Sequence, residues 1–548
     1  MTETTGKDMN KKNVEKFVPL QIMGGAHPVL SQKSSKFVSK KVTLLACPWV
    51  FQGDPEFQSQ QLGLAYIGSF LIDCGHKIAG YIDPMLDGGQ FEKVSIETEF
   101  QSIYRVGHSD EWIISKIPAD TDYIFVNVPF TDSRFVFYPL CNNIKDHFQD
   151  VPLVIGGILA TTLPYQILQE TKADIIVKGE GEIAASRILN GEPLGSIPGV
   201  IYRDEHGEIH ENPQRSEQLA NIDEIPWITK YNFRPMDEYV NWSPRGNKIN
   251  KTFSYITSRG CPFTCEFCSI PEKGQRWRSF SPERVIEEVK FMIDNYGVTH
   301  VEIEDDNFTL KRKHSIPILK YFKELRDDGY PINLSFPNGV MIDRLDREHI
   351  FAMKDAGTEM IYLPVESGEL KNLIAMNKPV ATEHLEQTIK VAEWCAEADL
   401  DAGSFFIIGY PGGRVFKGAL QEIIRKDYPD SILEENEDSI WIKGEDEKSF
   451  METVEYAKRL VDIGVKYVTP LIATPYPGTA MYDICEKFGW LKTPDHSKMI
   501  TTISYQDPKV DFVNIDTPWC SCEEAFARWQ YLSDVFNIKH NVIKETTT

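Results

Sequence analysis

Between Ser258 and Arg278 the chain reads SRGCPFTCEFCSIPEKGQRWR, and three cysteines stand close together in it, Cys261, Cys265 and Cys268. A gap of three residues and then of two puts three soft thiolates on one short loop. Donors of this kind select iron–sulfur clusters, zinc or copper(I) over hard cations. Structural zinc takes four ligands, usually as two separated pairs, and no second pair follows here at that spacing. A cubane cluster held by three cysteines leaves one iron open to bind something else. The loop follows the apolar run TFSYITS, read as a strand, and the carboxyl end of a barrel strand is where such a fold keeps its active site. Zinc, or three plain loop thiols without a metal, are the competing readings.

The elements that must position this loop form a regular alternation. From residue 251 the strands TFSYITS, THVEIED, INLSF, EMIYLPV, AGSFFIIG and KYVTPLI are separated by helical stretches. Ser281 is expected to cap the first helix, with Pro282 at its first position and Gly297 closing it. Ser315 is expected to cap the second, which ends at Gly329. Further helices are expected over 346–356, 382–398 and 449–463. Eight strand–helix repeats would close a complete barrel; six predict a partial, open (β/α)6 barrel over 251–490. The stretch 413–448 is too long for an ordinary strand-to-helix loop and reads as a lid or a small docking insertion. Residues 491–548 form a C-terminal region with one clear helix, SCEEAFARWQYLSDVF.

Ahead of this barrel, residues 41–190 show a second alternation. KVTLLAC, KIAGYID, DYIFVNV, PLVIGG and ADIIVKG are short apolar strands ending in polar or glycine turns, and QLGLAYIGSFLIDCG carries apolar residues at helical spacing. This predicts an α/β domain with a Rossmann-like, doubly wound parallel sheet, whose ligand crevice lies at the carboxyl ends of the strands. Residues 191–250, rich in proline and turns, read as a linker that includes a β-hairpin, GVIYRDEHGEIHEN, with Gly207 near its turn. Residues 1–40 are polar and irregular and read as an extension.

Composition narrows the setting. The chain has 548 residues, enough for two or three domains. Lys and Arg number 58 against 81 Asp and Glu, a formal charge of −23 that repels phosphate backbones and argues against a nucleic-acid partner. The ten cysteines are not a disulfide framework for a chain of this size; Cys47, Cys74, Cys141 and Cys395 read as buried small hydrophobes. No apolar run approaches the ~20 residues of a membrane span, and the start, MTETTGKDMNKKNVEKF, lacks the apolar core of a signal peptide. A soluble, cytoplasmic protein without a membrane partner is expected.

With these residues in view, Cys-x3-Cys-x2-Cys after the first strand of a partial barrel, with Phe267 just before the third cysteine, resembles the signature of the radical S-adenosylmethionine (radical SAM) enzymes. The resemblance implies that Cys261, Cys265 and Cys268 hold a 4Fe-4S cluster whose open iron chelates S-adenosylmethionine. The later strands follow the family's order. EDDNF, beginning at Glu304, stands where polar groups meet the methionine amine. SFPNGV places Asn338 after the third strand, and PVESG places Glu366 and Ser367 at the end of the fourth. GSFFIIGYPGG supplies Gly403, Ile407 and Gly409 on the fifth, typical of the adenine side, and TPYPGT follows the sixth. Arg276 and Arg278 could meet a carboxylate, but a surface role is the expected one.

The N-terminal sheet in turn resembles the cobalamin-binding domain often fused ahead of this barrel. The likeness rests on QQLGLAYIGSFL, NVPFTDS, VIGG and VKGEGE. It implies that Gly156, Gly157, Gly179, Glu180 and Gly181 line the nucleotide tail and that Thr131 and Ser133 donate hydrogen bonds to it. The Asp-x-His-x-x-Gly motif of other cobalamin proteins is absent; DEHG at 204–207 has the wrong spacing and falls in the hairpin. That leaves the lower ligand of cobalt open, with His76 expected at the surface or in packing. Cys520 and Cys522 are expected to be ordinary thiols.

Together the resemblances imply a cobalamin-dependent radical SAM C-methyltransferase. S-adenosylmethionine would supply both the methyl group, carried on cobalamin, and the 5′-deoxyadenosyl radical that activates an unactivated carbon of a small-molecule or peptide substrate. A reducing electron donor of flavodoxin or ferredoxin type would be its partner. A cyclisation or rearrangement on the same architecture is the first alternative. A methylthiotransferase would need a second cluster on three N-terminal cysteines, which Cys47, Cys74 and Cys141 do not pattern, and a cobalamin-binding sensor would not need the cysteine loop. The 413–448 segment and the C-terminal region are expected to shape the substrate pocket.

Overall fold

The computed structural model describes residues 37–51, 60–86, 94–97, 102–240, 251–268, 276–416, 418–493 and 513–536. Most of the extension expected over 1–40 lies outside the described residues, as do 241–250 of the linker.

Short runs of β-branched and large apolar residues build the first sheet. Its parallel strands are Lys41–Ala46, Lys77–Ile82, Tyr123–Asn127, Leu153–Gly156 and Ile175–Val177. Numbered along the chain, they lie in the order 2-1-3-4-5. The chain thus winds outward from Lys41–Ala46 in both directions, which opens a crevice at the strands' carboxyl ends. Neighbouring residues point to opposite faces, as the pleat requires. Leu45, Val126, Ile155 and Ile176 enter one core, with Phe137 and Leu140 of the helix Arg134–His147. Leu44, Phe125, Val154 and Ile175 enter the other, with Leu64 of Leu62–Asp73 and Ala185 of Glu182–Leu189. Both faces are buried, the reason these strands read as continuous apolar runs. Each such side chain contributes roughly 1.5–3 kcal/mol.

The expected hairpin forms, but not within a linker. Val200–Arg203 pairs antiparallel with Ile175–Val177, and Ile209–Glu211 pairs with Val200–Arg203, so the sheet has seven strands and runs to Glu211.

Among the described residues the second half holds six parallel strands in two ladders of three. Thr252–Tyr255, His300–Ile303 and Asn333–Ser335 form one; Met360–Glu366, Asp401–Ile408 and Tyr467–Ile472 form the other. A parallel bridge between Leu334 and Thr358 joins them. The helices Pro282–Tyr296, Arg312–Asp327, Arg347–Asp355, Ala381–Glu397 and Glu447–Ile463 alternate with the strands. Ser281 is the N-cap of the first, with Pro282 at its first position and Gly297 left-handed after it. Ser315 is not a cap: the second helix starts at Arg312, and Ser315 is buried inside it with Oγ 3.1 Å from His349 Nε2. That buried partner outweighs serine's preference for a helix start.

The 413–448 segment has a small structure of its own. Gly412–Val415, Ile440–Lys443 and Ile432–Glu435 make an antiparallel sheet beside the helix Gly418–Asp427. Val415, Ile424, Ile440 and Ile442 share an apolar core with Ile374, Met376 and Met481, against which Phe267 of the cysteine loop packs. The C-terminal helix Cys522–Val535 is tied to the sixth strand by the indole Nε1 of Trp529, which donates to the Pro470 carbonyl at 3.1 Å. Among the described residues no helix is long and apolar enough to cross a membrane.

Candidate active site

The cysteine loop leaves the first strand of the six-strand half and is closed at its neck by a two-residue antiparallel ladder, Ser258 opposite Ser279 and Arg259 opposite Arg278. Asp305, just past the second strand, fixes the near side. Its carboxylate accepts from Thr257 Oγ1 and Ser258 Oγ, both at 2.6 Å, and from the Thr257 amide. Burial pushes the Asp305 carboxyl up to about 6, against the pull of those donors. The far side is pinned through its backbone: the Glu266 amide donates to the Met376 carbonyl and the Glu266 carbonyl accepts from the Met481 amide, each at 2.9 Å.

All three cysteines are partly exposed and unbonded to one another. Among the described residues no three ligating side chains converge on one point that a single ion would fill. A cubane that takes each thiolate on a different iron does not require such convergence. Burial raises the Cys261 thiol and pushes Cys265 up to about 12, with the Lys378 ammonium opposing it. Metal binding must therefore expel thiol protons. Asn307 reaches the loop from the second strand's end. Its Nδ2 is 3.9 Å from Cys261 Sγ and 3.4 Å from Met341 Sδ, and its buried Oδ1 has no hydrogen-bond partner among the described residues.

The strand ends that follow bring several of the expected side chains to this loop. Asn338 Nδ2 donates to the Glu304 carbonyl at 3.0 Å. Glu366, buried at the end of the fourth strand, sits at a register shift in the ladder with φ of +67°. Backbone strain of this kind in a non-glycine residue costs on the order of 1–3 kcal/mol and gathers at functional sites. Its carboxylate meets Lys378 Nζ at 2.9 Å. Glu366 and the nearby Cys265 hold the lysine above its ordinary pKa although burial alone would lower it.

Other expected residues serve packing and backbone order. Ser367 Oγ lies 3.3 Å from Thr453 Oγ1 and accepts from the Glu369 amide at 3.2 Å. Gly403 stands near the amino end of its strand, where a Cβ would come within 2.6 Å of the Tyr362 ring. Gly409 is at the strand's carboxyl end with φ of +73°, and its amide donates to the buried Glu445 at 2.9 Å. Ile407 is buried in the core under the insertion.

A cavity of about 330 Å³ opens between the first sheet and the cysteine loop. The sheet contributes Gly156, Gly157, Gly179, Glu180 and Gly181; the six-strand half contributes Ile256, Arg259, Gly260, Glu304 and Asp306. It thus joins the carboxyl edges of both halves. Gly156 faces open space: a Cβ there would meet no atom within 4 Å. Gly157 and Gly179 have φ of +99° and +71°, which favours glycine. Thr131 and Ser133 lie in a buried 3-10 turn and do not line the cavity. Thr161 does: its Oγ1 accepts from the Gly179 amide at 3.0 Å. Gly63 and Asn127 also line it; both fall in the stretches QQLGLAYIGSFL and NVPFTDS, which could have singled them out.

Arg278 departs from its expected surface role. It is buried and binds both carboxylate oxygens of Glu180, with Nη1 at 3.2 Å from Oε2. Arg276 is exposed. His76 is a packing residue: it is buried and Nδ1 accepts from the Lys40 amide at 3.3 Å. His206 of DEHG is exposed in the hairpin turn. Burial pushes Cys520 up to about 12 and Cys522 up to about 11, and Cys522 Sγ contacts the Val513 carbonyl at 3.2 Å.

Comparison with known proteins places this geometry. The model of the radical SAM superfamily matches residues 255–413. An uncharacterized methyltransferase of Pyrococcus horikoshii is 30% identical over 396 residues, 71% of this chain and 75% of that one. A cytidylyl-2-hydroxyethylphosphonate methyltransferase of Streptomyces wedmorensis is 26% identical over 396 residues, 66% and 71% of the two chains. The fold is that of the radical S-adenosylmethionine methyltransferase TsrM of Kitasatospora setae, solved with cobalamin and a [4Fe-4S] cluster bound: the TM-score is 0.60 at 16% identity, over 89% of this chain and 84% of that one. The matched domain model and the shared length with the Pyrococcus protein establish that this chain is a radical SAM enzyme and belongs to a family whose relatives are named methyltransferases.

Proposed function

We propose that the chain transfers a methyl group from methylcobalamin to an unactivated carbon of a small substrate, with a 5′-deoxyadenosyl radical as the hydrogen acceptor. The observation that carries this reading is the single cavity bounded by the glycine-rich carboxyl edge of the first sheet and by Gly260 of the cysteine loop. When bound, the cluster supplies an electron and an open iron for S-adenosylmethionine, and the corrin supplies a transferable methyl group. The donor set fits the cluster: three thiolates on one loop, near the buried Lys378 cation. The sheet edge fits the corrin's nucleotide tail, because Gly156 leaves room where a side chain would stand and Thr161 orders the Gly179 turn.

The chain's own residues then do three things. Glu366 and Glu304, near the loop, are acceptors suited to the ammonium and ribose of S-adenosylmethionine. Asn338 orients the Glu304 turn. The apolar wall formed by Ile67 of the helix Leu62–Asp73 and by Val154 and Val177 of the sheet excludes water from the shared cavity. The six-strand half acts in this reading as a partial barrel. The electron donor is a small acidic redox protein of flavodoxin or ferredoxin type, and the cytoplasm is the compartment that suits it.

The test is a Cys265→Ala protein beside the natural one, both reconstituted without oxygen. The natural protein is expected to consume S-adenosylmethionine with release of 5′-deoxyadenosine and S-adenosylhomocysteine. The variant is expected to lose the cluster absorbance and both products by at least about 100-fold while still binding hydroxocobalamin. Equal product formation by the two would refute the reading.

A further inference from the structure

The neck of the cysteine loop is gripped by charged residues that follow the strand Ile175–Val177 of the first sheet, and the grip lies on the cavity wall. Arg259 and Arg278 face each other across the ladder that closes the loop. Arg278 takes both oxygens of Glu180 and also donates to the Leu219 carbonyl at 2.8 Å. Arg259 Nη1 stands 2.8 Å from Glu182 Oε1 and 3.5 Å from Glu180 Oε2. Its guanidinium lies 4.7 Å from the centre of the Tyr66 ring, and Tyr66 Oη donates to the Ile256 carbonyl at 3.3 Å.

These are not surface pairs. The side chains of Arg259, Arg278, Glu180 and Glu182 are 13%, 5%, 17% and 7% exposed. Taking four charges out of water is costly, and an interface that only had to hold two halves together would manage with apolar side chains. What the charges provide is geometry: a bidentate guanidinium–carboxylate contact admits one orientation. Glu180 and Glu182 flank Gly181 and follow Gly179, and all four line the cavity. Arg259 also lines it and is two residues from Cys261, across a Gly260 with φ of +82°. A ligand that fills the cavity bears on the carboxylates that set the loop's neck.

We propose that this four-residue clamp couples the two cofactor sites: cobalamin in the cavity and the cluster on the loop each bind more tightly when the other is present. Arg259 is a positioning residue, acting on Cys261 through the neck. The inference rests on the cavity being the corrin's site. Because coupling is reciprocal, it is read from either side.

The experiment titrates hydroxocobalamin by absorbance into the full-length chain, with and without its reconstituted cluster. The natural protein is expected to bind it at least about 5-fold more tightly with the cluster present, the lower range of measured couplings. In Arg259→Gln that ratio is expected to fall to near one, and in Arg259→Lys, which keeps the charge, to recover in part. Glu182→Gln breaks the same contact from the sheet's side and is expected to repeat the loss. A change in thermal midpoint alone, with the ratio intact in both glutamine variants, would make the clamp merely structural and overturn the proposal. Equal affinity of the natural protein in its two states would overturn the coupling only. Failure to bind hydroxocobalamin in either state would overturn the coupling and the reading of the cavity together.

Discussion

At the scale of single residues, side chains outside the cysteine triad fix the loop that carries it. Asp305 is buried and holds Thr257 and Ser258 at the start of the loop. Its folded pKa, about 6, is above the ordinary aspartate value. Its stabilising contribution is therefore complete at low pH and is lost as pH rises through about 6. Asp305→Asn removes that titration. The variant's stability relative to the natural protein is expected to improve from pH 5 to pH 8, by roughly 1–2 kcal/mol on the scale of 1.36 per pKa unit; denaturation midpoints at the two pH values check it. The triad itself was legible because its spacing is local. The role of Asp305 was not, since it depends on a carboxylate some fifty residues away folding under the loop. The role of Arg278 is hidden for the same reason: its partner, Glu180, lies in the turn after the strand Ile175–Val177, far away in the chain.

At the scale of elements, two glycines that look alike in sequence separate by what surrounds them. Gly156 ends a strand and faces the cavity, with space for a side chain. Gly156→Leu is expected to lower hydroxocobalamin affinity more than about 10-fold while leaving the cluster absorbance and the circular dichroism unchanged. Gly403 sits where a Cβ would strike the Tyr362 ring. Gly403→Ala is expected to cost about 1–3 kcal/mol by overpacking, seen as a lower thermal midpoint, without weakening S-adenosylmethionine binding in the folded protein. The strand alternation was readable because both faces of a parallel sheet are buried and its strands are short apolar runs. The hairpin at 200–211 was readable as a hairpin, but its pairing with Ile175–Val177 was not, because register with a distant strand leaves no local signature. The position of Ser315 shows the same limit. A helix-capping residue type was used instead as a buried partner of His349.

At the scale of the whole molecule, the two halves meet with their strand ends facing one cavity. The 413–448 segment, which follows the fifth strand, shares a core with the helix following the fourth strand and with the packing under Phe267, so it buttresses the cysteine loop. If the proposed acidic electron carrier is the donor, the chain's charge of −23 sets the salt dependence of their encounter: added salt should ease the repulsion. The central claim is that one chain holds a cluster with an open iron and a corrin beside it. It is tested most directly by metal and cofactor counts on anaerobically reconstituted protein, joined to a single-turnover assay with S-adenosylmethionine. The account predicts about four irons, about four sulfides and one cobalamin per chain, with 5′-deoxyadenosine formed on reduction. Protein that takes up cobalamin but no cubane, or a cubane that never yields 5′-deoxyadenosine, would contradict it.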